Sequence, residues 1–152
     1  MSRVLVVEDN AVNQELLCEW LEVEGYQVRS ADNLRDAFAE AERFHPDAVL
    51  LDVQLGSEDG LLLPIWMREQ STLRHIPVIA VTAHAMAVEQ ERILQAGCSA
   101  SVSKPIEFHL LQEQLEKWLT VGALMRRSSE LNNEVSRPSI SEVVRSGVHH
   151  AG

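Results

Sequence analysis

The chain contains five short runs of apolar or small residues, and a segment with helical spacing follows each run. An unbroken apolar run such as Val4–Val7, in which three of the four residues are β-branched, is typical of a strand buried on both faces of a parallel sheet. The runs predict strands at Arg3–Val7, Tyr26–Ser30, Asp47–Asp52, Ile76–Val81 and Ser99–Ser103.

Apolar residues in the segments between these runs recur every three or four positions, as in amphipathic helices. The first helix is marked by Val12, Leu16, Leu17, Trp20 and Leu21, the second by Leu34, Ala37, Phe38 and Ala41, and the others span Gly60–Gln70, Ala85–Ala96 and Glu107–Leu119. Asn33 is the expected N-cap of the second helix, and Pro64 must lie near the first turn of the third. Five consecutive βα units predict an α/β fold, a five-stranded parallel sheet with helices on both faces.

The composition changes near residue 120. Residues 121–152 are rich in Ser, Asn and Arg and lack a long apolar period. We therefore expect a domain over residues 1–120 and a polar C-terminal tail over 121–152 that is largely disordered. A capping box at Ser139–Glu142 predicts at most a short helix there.

The net charge indicates which partners are excluded, and the cysteine content indicates the cellular compartment. The 152 residues include 23 acidic and 13 basic side chains, for a net charge of −10. Such a surface repels nucleic acid and anionic lipid, so we expect neither as a partner. Cys18 and Cys98 form no metal-binding motif and are typical of reduced cytosolic thiols. Without a signal peptide or an 18-residue apolar run, the sequence predicts a cytoplasmic protein.

Chemically reactive side chains occur where the predicted strands end. Because ligands of open parallel sheets bind at the carboxyl ends of the strands, we expect these side chains to share one edge. They are Glu8 and Asp9 after the first strand, Asp52 at the end of the third, Thr82 after the fourth and Lys104 after the fifth.

The three carboxylates predict a cation site. Their mutual repulsion would raise their pKa values unless a cation joined them, and Mg²⁺ prefers such oxygen ligands. Lys104 and Thr82 would contact an anionic group at the same place. The site therefore suits a phosphoryl group carried on a carboxylate, and Asp52, alone on the central strand, is the predicted acceptor.

These residues resemble the response-regulator receiver domains of bacterial two-component phosphorelay signalling. The resemblance covers about residues 1–120 and implies the flavodoxin-like (βα)5 fold. The matching segments are Val7–Asn13, Leu50–Val53, Asp59–Gly60, Pro77–Ala83, Gly97–Cys98 and Ser103–Pro105.

The resemblance implies a role for each site residue. Asp52 would be the phospho-acceptor, and Mg²⁺ would be held by Glu8, Asp9, Asp52 and the main-chain carbonyl of Gln54. By the same resemblance, Lys104 contacts the phosphoryl group, Thr82 is the switch hydroxyl, Ala83 leaves room for the donor, and Gln54 and His84 tune attack by water. The donor would be a phosphohistidine on a histidine kinase or a histidine phosphotransfer protein, and the output protein is not indicated.

Four positions depart from the family pattern. Pro64 is unusual in the third helix, Glu8 replaces an aspartate, and the other two are Ser101 and Gly56. Ser101 lies where an aromatic residue usually couples phosphorylation to the outer surface, which leaves Thr82 and the adjoining loop to carry the change. Gly56 replaces a common proline after Asp52, which predicts a looser loop.

Three other functions use related chemistry. A pseudo-receiver scaffold would lack some of the acids, the threonine or the lysine, and all are present here. A flavodoxin-like cofactor carrier would need a phosphate-binding loop after the first strand, where the charge of Glu8 and Asp9 repels phosphate. An aspartyl-phosphate phosphatase would need a second acid in place of Gln54. We expect no enzyme activity beyond the chain's own phosphorylation and dephosphorylation.

Overall fold

The structure is a computed structural model, and it describes residues 1–136, with side chains up to residue 128. The elements in chain order are β1 (Arg3–Val7), α1 (Ala11–Val23), β2 (Gln27–Ala31), α2 (Leu34–Phe44), β3 (Ala48–Asp52), β4 (Gln54–Leu55), β5 (Glu58–Asp59), α3 (Leu62–Glu69), β6 (Val78–Thr82), α4 (Ala87–Ala96), β7 (Ala100–Ser103) and α5 (Phe108–Ser136). Within the described residues, no helix is long and apolar enough to cross a membrane.

The main sheet has the strand order β2-β1-β3-β6-β7, with all neighbours parallel. Successive side chains of its strands pack alternately into two hydrophobic clusters, one on each face of the sheet. Helices α2, α3 and α4 contribute to the cluster that contains Leu5 and Val49, whereas α1 and α5 contribute to the one that contains Val4 and Leu50. This arrangement confirms the predicted fold class and buries β3 on both faces.

Local capping explains where the helices begin and end. The Asn33 side chain accepts a hydrogen bond from the Asp36 N–H at 2.8 Å, which confirms it as the N-cap of α2. Pro64 is the third residue of α3, where its missing N–H costs no hydrogen bond. Gly97 ends α4 with a φ of 104°, a conformation that side chains disfavour.

Helix α5 is longer than the pattern predicts. It was expected to end at Leu119 but continues to Ser136, so the described part of the predicted tail is helical. The reason is local: residues 120–136 contain no proline, and Gly122 is their one helix-weakening glycine. Contacts divide the chain into the units Met1–Gly122 and Ala123–Gly152. The predicted helix at Ser139–Glu142 lies outside the described residues.

The loop after β3 forms a small hairpin that the pattern did not predict. Strands β4 and β5 pair antiparallel around a tight turn in which Gly56 has a φ of 58°. Glu58 Oε1 accepts a hydrogen bond from the Leu34 N–H at 3.1 Å, and Asp59 pairs with Arg92 of α4 at 3.1 Å. The loop at Gly56 is therefore a paired hairpin with contacts to two helices.

Candidate phosphorylation site

The carboxyl ends of four neighbouring strands bring the predicted site residues together. Each of these residues ends a strand of the main sheet or follows one closely, so the parallel sheet places them at one edge. The cleft at this edge is lined by Glu8, Asp9, Asp52, Gln54, Thr82, Ala83, His84 and Lys104, together with Asn10, Asn13, Val53, Gly56 and Glu89.

The three carboxylates form a tight cluster. Glu8, Asp9 and Asp52 each contribute an oxygen to a group whose members all lie within 4.8 Å of one another. Glu8 and Asp52 are buried, with 3 % and 7 % of their surface exposed, whereas Asp9 is open to solvent. Buried carboxylates at this spacing need a compensating positive charge.

Lys104 supplies one such charge. Its Nζ donates a hydrogen bond to Asp52 Oδ2 at 2.9 Å and lies 4.0 Å from Glu8 Oε1. The backbone holds the lysine in place, since its N–H donates to the Thr82 carbonyl at 2.8 Å. The other oxygen of Asp52, Oδ1, accepts the Gln54 N–H at 3.1 Å.

These contacts set opposite pKa shifts on the two buried acids. Burial, with the adjacent Asp52 carboxylate, raises the pKa of Glu8 from 4.5 to about 7. Burial also opposes ionisation of Asp52, but its contacts with Glu8, with Lys104 and with the Gln54 N–H outweigh burial and lower its pKa. Burial disfavours the charged form of Lys104, but Asp52 outweighs this effect and raises the lysine's pKa. Asp52 is thus the ionised acid of the pair, paired with an ammonium group.

The chemistry of the cluster fits a hard divalent cation. Glu8 Oε2 is buried and has no hydrogen-bond partner among the described residues, so this carboxylate keeps one oxygen free to take a ligand. The backbone of the hairpin adds a further oxygen that could ligate a cation, the carbonyl of Gln54. The Gly60 N–H donates a hydrogen bond to the Val53 carbonyl at 2.7 Å, so the next pair, Gln54 and Asp59, is a non-hydrogen-bonded pair. In such a pair the Gln54 carbonyl points away from β5. Oxygen ligands of this kind are those that Mg²⁺ prefers.

The last residue of β6 and the two residues that follow it differ in their exposure. Thr82 is buried, and its hydroxyl accepts the His84 N–H at 3.0 Å and donates to the His84 carbonyl at 3.2 Å. Ala83 and His84 are exposed at the mouth of the cleft. The Thr82 hydroxyl is therefore engaged in a local turn.

Ser101 does not line the carboxylate cleft. Its hydroxyl donates a hydrogen bond at 2.5 Å to Gln90 Oε1, which ties β7 to α4. Sequence reasoning missed this partner and also missed Asn13 and Glu89 as cleft residues. A signal existed for Asn13, since it lies one helical turn after the N-cap Asn10 and five residues after Glu8.

This chain is similar in sequence to a known family of domains and to several characterised proteins. Residues 4–116 match the response regulator receiver domain. The polar-differentiation response regulator DivK of Brucella ovis is 41 % identical over 116 residues, which cover 76 % of this chain and 94 % of that protein. DivK of Brucella anthropi has the same identity and coverage.

Solved structures show the same likeness. The receiver domain of the sensor histidine kinase PA1611 of Pseudomonas aeruginosa, solved with a magnesium ion coordinated in its active-site cleft, is 36 % identical with a TM-score of 0.72. The match covers 78 % of this chain and 98 % of that one. The chemotaxis protein CheY4 of Vibrio cholerae, at 24 % identity, has a TM-score of 0.73, covers 77 % and 98 % of the two chains, and shows the fold alone.

The matched segment takes in every residue of the main sheet except Arg3, and it includes the carboxylate cleft. It does not favour the scaffold, cofactor-carrier or phosphatase alternatives. The chain belongs to the response regulator receiver domain family of two-component signalling.

Proposed function

We propose that Asp52 accepts a phosphoryl group from a phosphohistidine and that the reaction requires Mg²⁺ held by Glu8, Asp9, Asp52 and the Gln54 carbonyl. One observation carries the proposal: the buried Asp52 carboxyl lies 2.9 Å from Lys104 Nζ and within 4.8 Å of an oxygen of Glu8 and an oxygen of Asp9. Such a group has both a nucleophile and the means to hold a phosphoryl group.

The residues divide the chemistry among them. A carboxylate oxygen of Asp52 attacks phosphorus, an O–P bond forms, the N–P bond to imidazole breaks, and its electron pair stays with the imidazole nitrogen. Lys104 moves from the carboxylate to a phosphoryl oxygen and offsets its negative charge. Mg²⁺ supplies the remaining positive charge when bound. The chain acts on no other substrate in this proposal: it catalyses only its own phosphorylation and dephosphorylation.

Thr82 connects the phosphoryl group to the surface. To donate to a phosphoryl oxygen, its hydroxyl must give up the His84 carbonyl. This removes one of the two hydrogen bonds between Thr82 and His84 and frees the loop over residues 83–86 to rearrange. The bond between Ser101 and Gln90 holds the end of the first turn of α4 against β7. We therefore place the change in this loop and at the start of α4, ahead of Gln90, with His84 at the mouth of the cleft.

The surface beside the cleft is apolar enough to bind a protein that donates the phosphoryl group. The apolar side chains of Val12 and Leu16 on α1 and of Phe108 on α5 are 65 %, 54 % and 40 % exposed. Leu16 and Phe108 also line an apolar groove that reaches Asp52 and Lys104. A histidine kinase or a histidine phosphotransfer protein would dock there.

The two free cysteines fit a reducing compartment, the cytoplasm.

The test is labelling of the parent protein by a small acyl phosphate, acetyl phosphate, with Mg²⁺ or with EDTA. We expect intact-mass spectra to show one added phosphoryl group with Mg²⁺ and none with EDTA. A phosphorylated histidine phosphotransfer protein should label the chain under the same condition. Labelling that is equal in EDTA would contradict the metal requirement, and no labelling by either donor would contradict the function.

A further inference from the structure

Glu8 is held by two polar side chains from the first turn of α1. Asn13 Nδ2 donates a hydrogen bond to Glu8 Oε1 at 3.0 Å. Gln14 Nε2 donates to the Glu8 carbonyl at 2.9 Å and lies 3.3 Å from the Ala31 carbonyl. Gln14 thus fixes the main chain of Glu8, whereas Asn13 is the one of the two that touches its carboxylate.

Asn13 is itself well fixed. The Asn10 side chain caps α1 by accepting the Asn13 N–H at 3.0 Å, so the position of Asn13 is tied to the start of the helix. The amide therefore reaches Glu8 from a rigid element. A side chain that orients a ligand does so more precisely when it lies on a helix and is itself held by hydrogen bonds.

The bond from Asn13 makes the two oxygens of Glu8 unequal. Oε1 has a hydrogen-bond donor, and Oε2 is buried with no partner among the described residues. Glutamate has one more rotatable bond than aspartate, so its carboxylate can turn through more orientations unless a neighbour holds it. With Oε1 anchored, Oε2 is the oxygen of Glu8 that still lacks a partner among the described residues.

We propose that Asn13 is a positioning residue for the metal site: its amide anchors Glu8 Oε1 and so presents Glu8 Oε2 to Mg²⁺. This inference rests on the proposed function, because it assigns a role toward the cation that the function requires. Hydrogen bonds of this kind to a ligand typically change metal affinity by about 10- to 100-fold.

The experiment measures the Kd for MgCl₂ by isothermal titration calorimetry in the parent and in two variants. Asn13→Ala removes the side chain, and Asn13→Leu keeps its size but lacks the N–H donor. We expect both to raise the Kd about 10-fold or more. At saturating Mg²⁺, both should be labelled by acetyl phosphate within about twofold of the parent rate, since the acceptor and Lys104 are intact.

Asn33→Ala is the matched control, because it removes an asparagine N-cap from α2 without touching Glu8. Its Kd for MgCl₂ should equal that of the parent. Unchanged Mg²⁺ affinity in both Asn13 variants would overturn the inference, as would labelling that stays low at saturating Mg²⁺. A parent protein that binds no Mg²⁺ would instead refute the proposed function.

Discussion

The two buried acids of this site, Glu8 and Asp52, have pKa values shifted in opposite directions. Glu8 is buried beside Asp52, so in the absence of a cation its pKa rises to about 7, while its contact with Asp52 helps to lower the pKa of that neighbour. One acid of the pair is thereby kept ionised as a nucleophile. The other has a pKa near neutrality and is ionised more fully when a cation binds.

This pKa shift predicts a pH-dependent stability in metal-free protein. Between pH 4.5 and about 7, folded Glu8 holds a proton that unfolded Glu8 has lost, so its contribution to the free energy of unfolding falls as pH rises. The loss across this window is at most about 3 kcal/mol. Urea unfolding of the parent and of Glu8→Gln, each with EDTA, measures it. The variant cannot titrate there, so its stability should fall less with pH; identical pH dependence in both proteins would refute the assignment.

At the scale of elements, the hairpin after β3 is the feature that holds the acceptor strand end in place. Gly60 closes the hairpin, with its N–H on the Val53 carbonyl at 2.7 Å. A Cβ atom at Gly60 would lie 2.5 Å from the Asp52 carbonyl oxygen and 2.7 Å from that of Val53. Both neighbours are backbone atoms of the acceptor segment, so neither has freedom to move aside.

Gly60→Ala should therefore destabilise the protein by about 1–3 kcal/mol, the range of overpacking substitutions. Gly122→Ala is the control, since its Cβ would meet only the Pro77 ring at 3.5 Å and alanine favours a helix by up to about 1 kcal/mol. Urea unfolding of both variants tests the comparison. Parent-like stability in Gly60→Ala would show that the strand end is less tightly packed than the structure has it.

At the scale of the whole molecule, the sequence predicts what depends on periodicity, and misses what depends on individual contacts. The valine-rich strand β1 has the predicted bounds Arg3–Val7. Strand β2 begins one residue late because the Tyr26 N–H bonds to Leu21 O in the turn that ends α1. Similarly, β6 begins at Val78, since the Ile76 N–H bonds to Leu73 O and Pro77 has no N–H.

The same division holds for the site. Strand ends predict that Glu8, Asp52 and Lys104 meet, because a parallel sheet aligns its carboxyl ends. The Asn13 contact with Glu8 and the bond between Ser101 and Gln90 depend on side-chain orientation, which spacing alone does not determine. The hairpin depends on a single left-handed glycine in a two-residue turn, a signal too short for a periodic pattern.

The central claim is that Asp52 is the acceptor, and the most direct test is intact-mass analysis after incubation with acetyl phosphate and Mg²⁺. The parent and the control Asp59→Asn, which alters an exposed hairpin carboxylate, should each gain one phosphoryl group. Asp52→Asn should gain none, because its amide is not a nucleophile. Labelling of Asp52→Asn to the level of the parent would contradict the account.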